Sequence, residues 1–307
     1  SIESTIDGFL IPCKIWRNKN DELPNIKHRA SITVAALFIH GGMFSKGDCD
    51  SHPKLLQALS EDVNMIIITS SFRNGAVEPE KTGKTMQDLV DVSDYFQSNF
   101  MPEQRLPYGV IGSSSGGYFA LALAAQKILR FDFCIPICPV AHPNRRATYL
   151  KNCISQNAKP TAGCGVHTAE AATRILNAQL SFWETEEAME AAGECLRENN
   201  NAVPTLLIMG AADTNVPMHV CELVQAWATR TIVLGGAGHD IQSSPPVAKD
   251  GMEDGFQLYL PDIERFVKTV RMELGMGDIN MSALSGENDL CSNAQRKLLF
   301  CCCSRKG

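Results

Sequence analysis

No stretch of eighteen apolar residues occurs in this 307-residue chain, so no membrane-spanning segment is expected. Basic residues are not in excess either. The 28 Lys and Arg stand against 34 Asp and Glu, a net charge of -6 with pI near 5.7. That balance argues against a nucleic-acid binder, which needs a basic footprint to neutralise phosphates. The opening, Ser1 to Trp16, lacks a basic segment followed by an apolar one, so no secretory signal is expected there. It also lacks Met, so the natural start is read as processed or lying upstream. The scattered cysteines show no CxxC pair and no matching His spacing, and a zinc site is not expected. Without a secretory route the twelve cysteines are read as reduced thiols of a cytoplasmic protein rather than a disulfide framework. Cys134 and Cys138 lie in an apolar run and read as small buried hydrophobes. No internal repeat is visible. With 44% hydrophobic and 20% charged residues, the composition excludes a disordered chain, a collagen and a coiled coil.

What is present alternates. Asp7-Gly8 predicts a tight turn with about six residues on each side pairing as antiparallel strands. Continuous apolar runs follow at Val34 to Ile39, Val63 to Thr69, Tyr108 to Gly112, Phe131 to Cys138 and Thr205 to Met209, with a shorter one at Thr231 to Leu234. Unbroken rather than alternating hydrophobicity suits strands covered on both faces. Helical patterns fill the gaps. Met86, Leu89, Val90 and Phe96 recur at helical spacing, and Ser115 to Leu129 is apolar almost all round. Pro217 and Pro261 each stand where a first helical turn begins. The predicted class is α/β, a mostly parallel central sheet with helices on both faces.

One interval breaks the rhythm. The residues at about 140–203, between the expected sixth and seventh strands, are too many for a single crossover. They include the pair Arg145-Arg146, a glycine-bearing patch at Thr161 to Gly165 and a helical pattern around Glu184 to Leu196. The interval reads as an inserted lid over the strands' carboxyl ends, where open α/β sheets bind ligands. The alternative is an extra helical layer far from any site. A single domain would span 1–274, and residues 275–307 read as a flexible tail. Cys301, Cys302 and Cys303 with Arg305 and Lys306 could serve as an S-acylated anchor, although an unconstrained terminus is the favoured reading.

The sharpest chemical signal is Gly112-Ser113-Ser114-Ser115-Gly116, directly after a strand and before the Ala-rich helix. Reversal from strand to helix within a residue or two forces a strained turn. Only Ser114 has glycine at both flanking second positions, so it is the candidate nucleophile; a plain Ser/Gly-rich turn is the alternative. His40-Gly41-Gly42-Met43 follows the strand Val34 to Ile39. Its backbone amides could meet a substrate carbonyl, and Gly42 and Ser115 are expected as the main oxyanion donors, with Met43 an extra one. His40 is read as a brace for the loop. A serine hydroxyl needs a base, and of seven histidines His239 stands in a glycine-rich loop after the last short strand. Asp213, after the strand Thr205 to Met209, is the expected carboxylate partner; Asp240 is a poor one because it adjoins the histidine.

The order Ser114, Asp213, His239 resembles that of the α/β-hydrolase superfamily of serine esterases, and the resemblance runs from the first hairpin to about Arg271. HGG followed by Met43-Phe44 and Gly47-Asp48 is similar to the HGGGF and GD loop of hormone-sensitive-lipase-type and carbohydrate-esterase-like members. Ser71-Phe72-Arg73 takes the place of their YR segment, with Phe72 for the usual Tyr and Met43 for the third glycine. Gly210 to Pro217 resembles the GxxDxxVP acid loop shared with prolyl-oligopeptidase-like members. The resemblance implies cleavage of small or medium carboxylic esters through an acyl-enzyme, with no metal or organic cofactor. A peptidase or amidase of the same fold and a non-catalytic ligand-binding member are the alternatives.

Overall fold

The computed structural model describes residues 1–18, 34–74, 81–101, 106–126, 129–156, 168–198, 203–241 and 254–276. The N-terminal hairpin is shorter than its turn predicts. Strands β1 (Ile2–Glu3) and β2 (Leu10–Ile11) pair antiparallel over two residues each, around Gly8 at φ 72°. Pro12 has no N–H to continue a ladder. From Cys13 the chain instead forms β3 (Cys13–Trp16), antiparallel to β5 (Met65–Ser70) in the main sheet. The second arm of the hairpin is thereby split in two.

The main sheet has seven strands in the order β3-β5-β4-β6-β7-β8-β9, all parallel except β3 against β5. Its remaining members are β4 (Val34–Ile39), β6 (Tyr108–Ser113), β7 (Phe133–Ile137), β8 (Leu206–Gly210) and β9 (Arg230–Leu234). Every residue of β4 to β8 is buried, as their unbroken apolar sequence requires. After β4 the chain moves to one side for β5, then crosses back to place β6 on the other flank of β4. Such a reversal opens a crevice at the carboxyl ends of the two strands, and the loops after β4 and β6 line it.

Two cores sandwich the sheet. Ala35, Leu37 and Ile39 face α2 (Lys81–Phe100) and α3 (Ser115–Gln126). Val34, Ala36 and Phe38 face α1 (Pro53–Glu61) and α8 (Leu260–Glu273). Helix α3 is buried from Ser115 to Ala125. A buried ion pair fastens the hairpin to this frame. Arg73 donates through Nε to Asp88 Oδ2 at 2.9 Å and through Nη1 to Asp7 at 2.7 Å, while Ser4 Oγ donates to Asp88 at 3.0 Å. This pairing raises the Arg73 pKa, because both carboxylates favour its charged form.

The long interval falls between β7 and β8, which are the sixth and seventh strands of the sequence count once the split at Pro12 is allowed for. It contains α4 (Pro143–Ser155), α5 (Ala169–Trp183) and α6 (Glu186–Glu198). Helix α7 (Met218–Gln225) follows β8. Sequence periodicity signals α6 but not α4 or α5. The expected start at Glu184 is displaced because Glu184 itself ends α5, at φ 65°. The three helices pack together and onto α2 and α3, and Phe182 stacks on Phe44 at 5.1 Å between centroids. Among the described residues no helix is long and apolar enough to cross a membrane. The patch Thr161 to Gly165 and the tail beyond residue 276, with Cys301, Cys302 and Cys303, lie outside the described residues.

Candidate active site

Ser114 occupies the single residue between β6 and α3, at φ 55°. Non-glycine residues avoid this left-handed region unless the surroundings hold them there. Here the Ser114 N–H donates to Ile137 O at 2.9 Å, and its carbonyl accepts from Gly117 N–H at 3.0 Å and Val140 N–H at 3.1 Å. The flanking glycines have a steric cause. A Cβ on Gly112 would lie 2.2 Å from Gly116 O, and one on Gly116 would lie 2.2 Å from Ile39 O. The turn is thus pressed both against its own helix and against the end of β4.

The loop after β4 lies alongside. A Cβ on Gly41 would touch Ser114 Cβ at 3.1 Å. Gly42 sits at φ 135°, and its carbonyl accepts from the Ser45 and Lys46 N–H groups at 3.0 Å each, closing a tight turn through Met43 and Phe44, at φ 59° and 62°. Among the described residues no backbone carbonyl takes up the Gly42 or Met43 amide. Ser115 begins α3, so its N–H belongs to the first helical turn, where amides lack intrahelical acceptors. His40 is buried beneath the loop. Its Nδ1–H donates to Gly41 O at 2.7 Å and its ring stacks on Phe72 at 4.3 Å. Burial pushes its pKa down to about 4, so it stays neutral and braces the loop.

The carboxylate and imidazole come from the loops after β8 and β9. Asp213 Oδ1 accepts the Asn215 and Val216 N–H groups, each at 2.8 Å. His239 Nδ1 lies 2.8 Å from Asp213 Oδ2, and its Nε2 lies 2.9 Å from Ser114 Oγ. A carboxylate only accepts, so Nδ1 carries the proton and Nε2 presents its lone pair to the hydroxyl. Gly210 makes the approach possible, because a Cβ there would lie 2.4 Å from Ala237 O. The Ala212 N–H donates to that same carbonyl at 2.8 Å, tying the acid loop to the histidine loop. All three side chains are buried or nearly so, with Ser114 and His239 each 8% exposed. The six residues singled out by sequence, Ser114, Asp213, His239, Gly42, Met43 and Ser115, therefore meet at one end of the sheet.

Sequence reasoning missed what surrounds Asp213. Arg146 of α4 is fully buried and reaches Asn215, two residues past the carboxylate. Its only sequence signal is a basic pair, and the other member, Arg145, is exposed and faces Glu222. Cys138, at φ 44°, places its thiol within 4.8 Å of the Asp213 and His239 donor atoms. Burial and the Asp213 charge push that thiol's pKa far up, so a metal there would have to displace both the thiol and the imidazole proton. His142, Glu190 and Glu194 form a second such cluster. His142 Nδ1 accepts the Arg145 amide, so its proton sits on Nε2, the nitrogen a metal between it and Glu190 would need bare. A cavity of about 300 Å³ between α4 and α7, lined in part by Tyr149 and His219, contains none of the three central side chains.

The profile of a family described as having the alpha/beta hydrolase fold matches residues 36–218. An ethyl acetate hydrolase of Pseudomonas putida is 28% identical over 140 residues, 43% of this chain and 40% of its own length. A carboxylesterase/phospholipase, LipF, of Mycobacterium tuberculosis is 26% identical over 137 residues, 39% of this chain and 35% of its own. The chain thus spans well under half the length of these curated relatives. Among solved structures, a fungal esterase of Rhizomucor miehei superposes with a TM-score of 0.64 at 18% identity, covering 89% of this chain and 83% of that one.

Proposed function

The chain belongs to the α/β-hydrolase fold family, and on that premise we propose that it is a serine carboxylesterase. In this reading it cleaves small or medium esters through an acyl-enzyme. The observation that carries the proposal is the bridging imidazole, 2.9 Å from the Ser114 hydroxyl on one side and 2.8 Å from the Asp213 carboxylate on the other. His239 takes the Ser114 proton as Oγ attacks the ester carbonyl. Asp213 holds the tautomer that permits this and stabilises the imidazolium that forms. The carbonyl oxygen, now negative, rests against the amides of Gly42 and Ser115, with Met43 as a further donor. His239 then protonates the departing alcohol. Water, deprotonated by the same imidazole, releases the acid. The insertion, with Phe182 and Trp183 packed on Phe44, acts as the lid. The curated relatives' names, an ethyl acetate hydrolase and a carboxylesterase/phospholipase, support the ester class.

Labelling with a fluorophosphonate, wild type against Ser114→Ala, tests the reading. Label is expected on the wild type and absent from the variant; equal labelling of both would remove Ser114 from its role. p-Nitrophenyl esters of rising chain length, run beside peptide anilides, test the substrate class. Faster turnover of the anilides would replace the esterase with a peptidase or amidase.

A further inference from the structure

We propose that Arg146, carried by the insertion helix α4, is a positioning residue that holds the Asp213 loop and balances its charge, making the insertion part of the catalytic support. The proposal rests on the triad reading above. Arg146 is 0% exposed, and a guanidinium in such a place is costly unless its five donors and its charge are both answered. Three of the donors are answered by neutral oxygens, one on each nitrogen. Nε donates to Asn215 O at 3.1 Å, Nη2 to Asn215 Oδ1, and Nη1 to Gln179 Oε1 at 3.2 Å. Gln179 of α5 is itself fixed, its Nε2 donating to Pro143 O at 2.6 Å. The charge is answered by Asp213, whose attraction opposes the desolvation that lowers the Arg146 pKa to about 10.

A second contact has the same target. Tyr149, one helical turn along α4, donates its hydroxyl to Thr214 O at 2.9 Å. Helix α4 therefore grips both residues that follow Asp213, and the Asn215 amide is one of the two that fix Asp213 Oδ1. The other titratable groups that feel the Asp213 charge are His239, the buried Cys138 and Cys221, and the half-buried Tyr149. Burial raises the pKa values of both thiols and of the phenol, so they remain neutral. Arg146 is thus the permanent cation among them.

The experiment measures kcat and KM for p-nitrophenyl acetate across pH for the wild type, Ser114→Ala, Arg146→Gln, Arg146→Lys, Asn215→Ala and Tyr149→Phe. Arg146→Gln is expected to lower kcat roughly tenfold or more with KM little changed. It is also expected to move the acidic limb of kcat/KM upward by about half a pH unit, because an unbalanced carboxylate holds the imidazole protonated. Arg146→Lys should return the limb to its place while recovering only part of kcat. Asn215→Ala should lower kcat without moving the limb. Wild-type kcat and limb in Arg146→Gln would overturn the proposal, as would identical behaviour of the Lys and Gln variants. If Arg146→Gln fails to fold by circular dichroism, Asn215→Ala and Tyr149→Phe decide, and unchanged kcat in both overturns it. Ser114→Ala separates the two readings. Activity retained there removes the triad, whereas loss there with wild-type Arg146 and Asn215 variants removes only the positioning role.

Discussion

Gly116→Ala offers a test in which the structure sets the size of the perturbation. The added methyl would sit 2.2 Å from Ile39 O and 2.4 Å from His40 O. Carbon and oxygen do not approach within 3.0 Å, so about 0.8 Å of separation must be found. Both oxygens are main chain, and β4 is held to β6 through the pair Ile39 and Gly112, so neither can swing aside as a side chain would. The relief has to come from the turn at Ser114 drawing away from the loop that carries Gly42. A misplacement of about 1 Å between reacting groups costs on the order of a hundredfold in rate. Overpacking of this kind also destabilises a fold by about 1–3 kcal/mol. The assay is kcat/KM on p-nitrophenyl acetate, with urea unfolding alongside. Gly83→Ala is the control, since nothing lies within 4 Å of a methyl there on α2. The control should keep full activity and gain about 0.5–1 kcal/mol of stability from a less flexible unfolded chain. Gly116→Ala with turnover within threefold of wild type would refute the claim that close approach of these two segments sets the site.

Other outcomes follow from the same geometry. Asp213→Asn should lower kcat on the order of 10⁴-fold, because an amide facing Nδ1 favours the tautomer whose Nε2 proton points at Ser114; steady-state kinetics at pH 8 would show it. The low pKa of His40, about 4, has a signed consequence. An unfolded imidazole takes up its proton near 6.5 and the folded one only near 4, so stability is complete above 6.5 and is lost as pH falls toward 4, by about 3 kcal/mol. Thermal melts between pH 7.5 and 4.5 should show a shallower loss for His40→Gln than for wild type, even though burial also lowers the pKa values of His52 and His142, which both proteins retain. Asp88→Asn strands the buried Arg73 guanidinium with Asp7 as its remaining anion, and urea unfolding at pH 7 should register a loss of about 3–5 kcal/mol.

How much of this was legible beforehand depended on how local the cause was. The parallel strands could be read because burial on both faces demands an unbroken apolar run, as in Val34 to Ile39. The turn at Ser114 could be read because its steric requirement falls on glycines two residues away. Convergence of Ser114, Asp213 and His239 was an expectation from chain order, and the structure brings the three side chains into contact. The short first hairpin was misjudged because Pro12 diverts the chain to a partner, β5, more than fifty residues away. Helices α4 and α5 gave no clear stripe, since parts of both bury polar groups: Arg146 and Gln179 occupy positions that a periodicity argument reserves for apolar residues. The burial of Arg146 depends on Asn215, 69 positions along the chain, and no local pattern distinguishes it from its exposed neighbour Arg145.

The order of the strands also bears on how the protein would fail. Ser114 follows β6, with strands on both sides, whereas His239 follows β9, which ends the strand order among the described residues with β8 as its ladder partner. Val233 of that strand is 41% exposed. Sheets loosen from their margins inward, at a free energy below that of global unfolding. Warming would therefore detach the His239 imidazole while the Ser114 hydroxyl remained in place. A gently heated sample would fall silent with its circular dichroism intact and recover turnover on cooling.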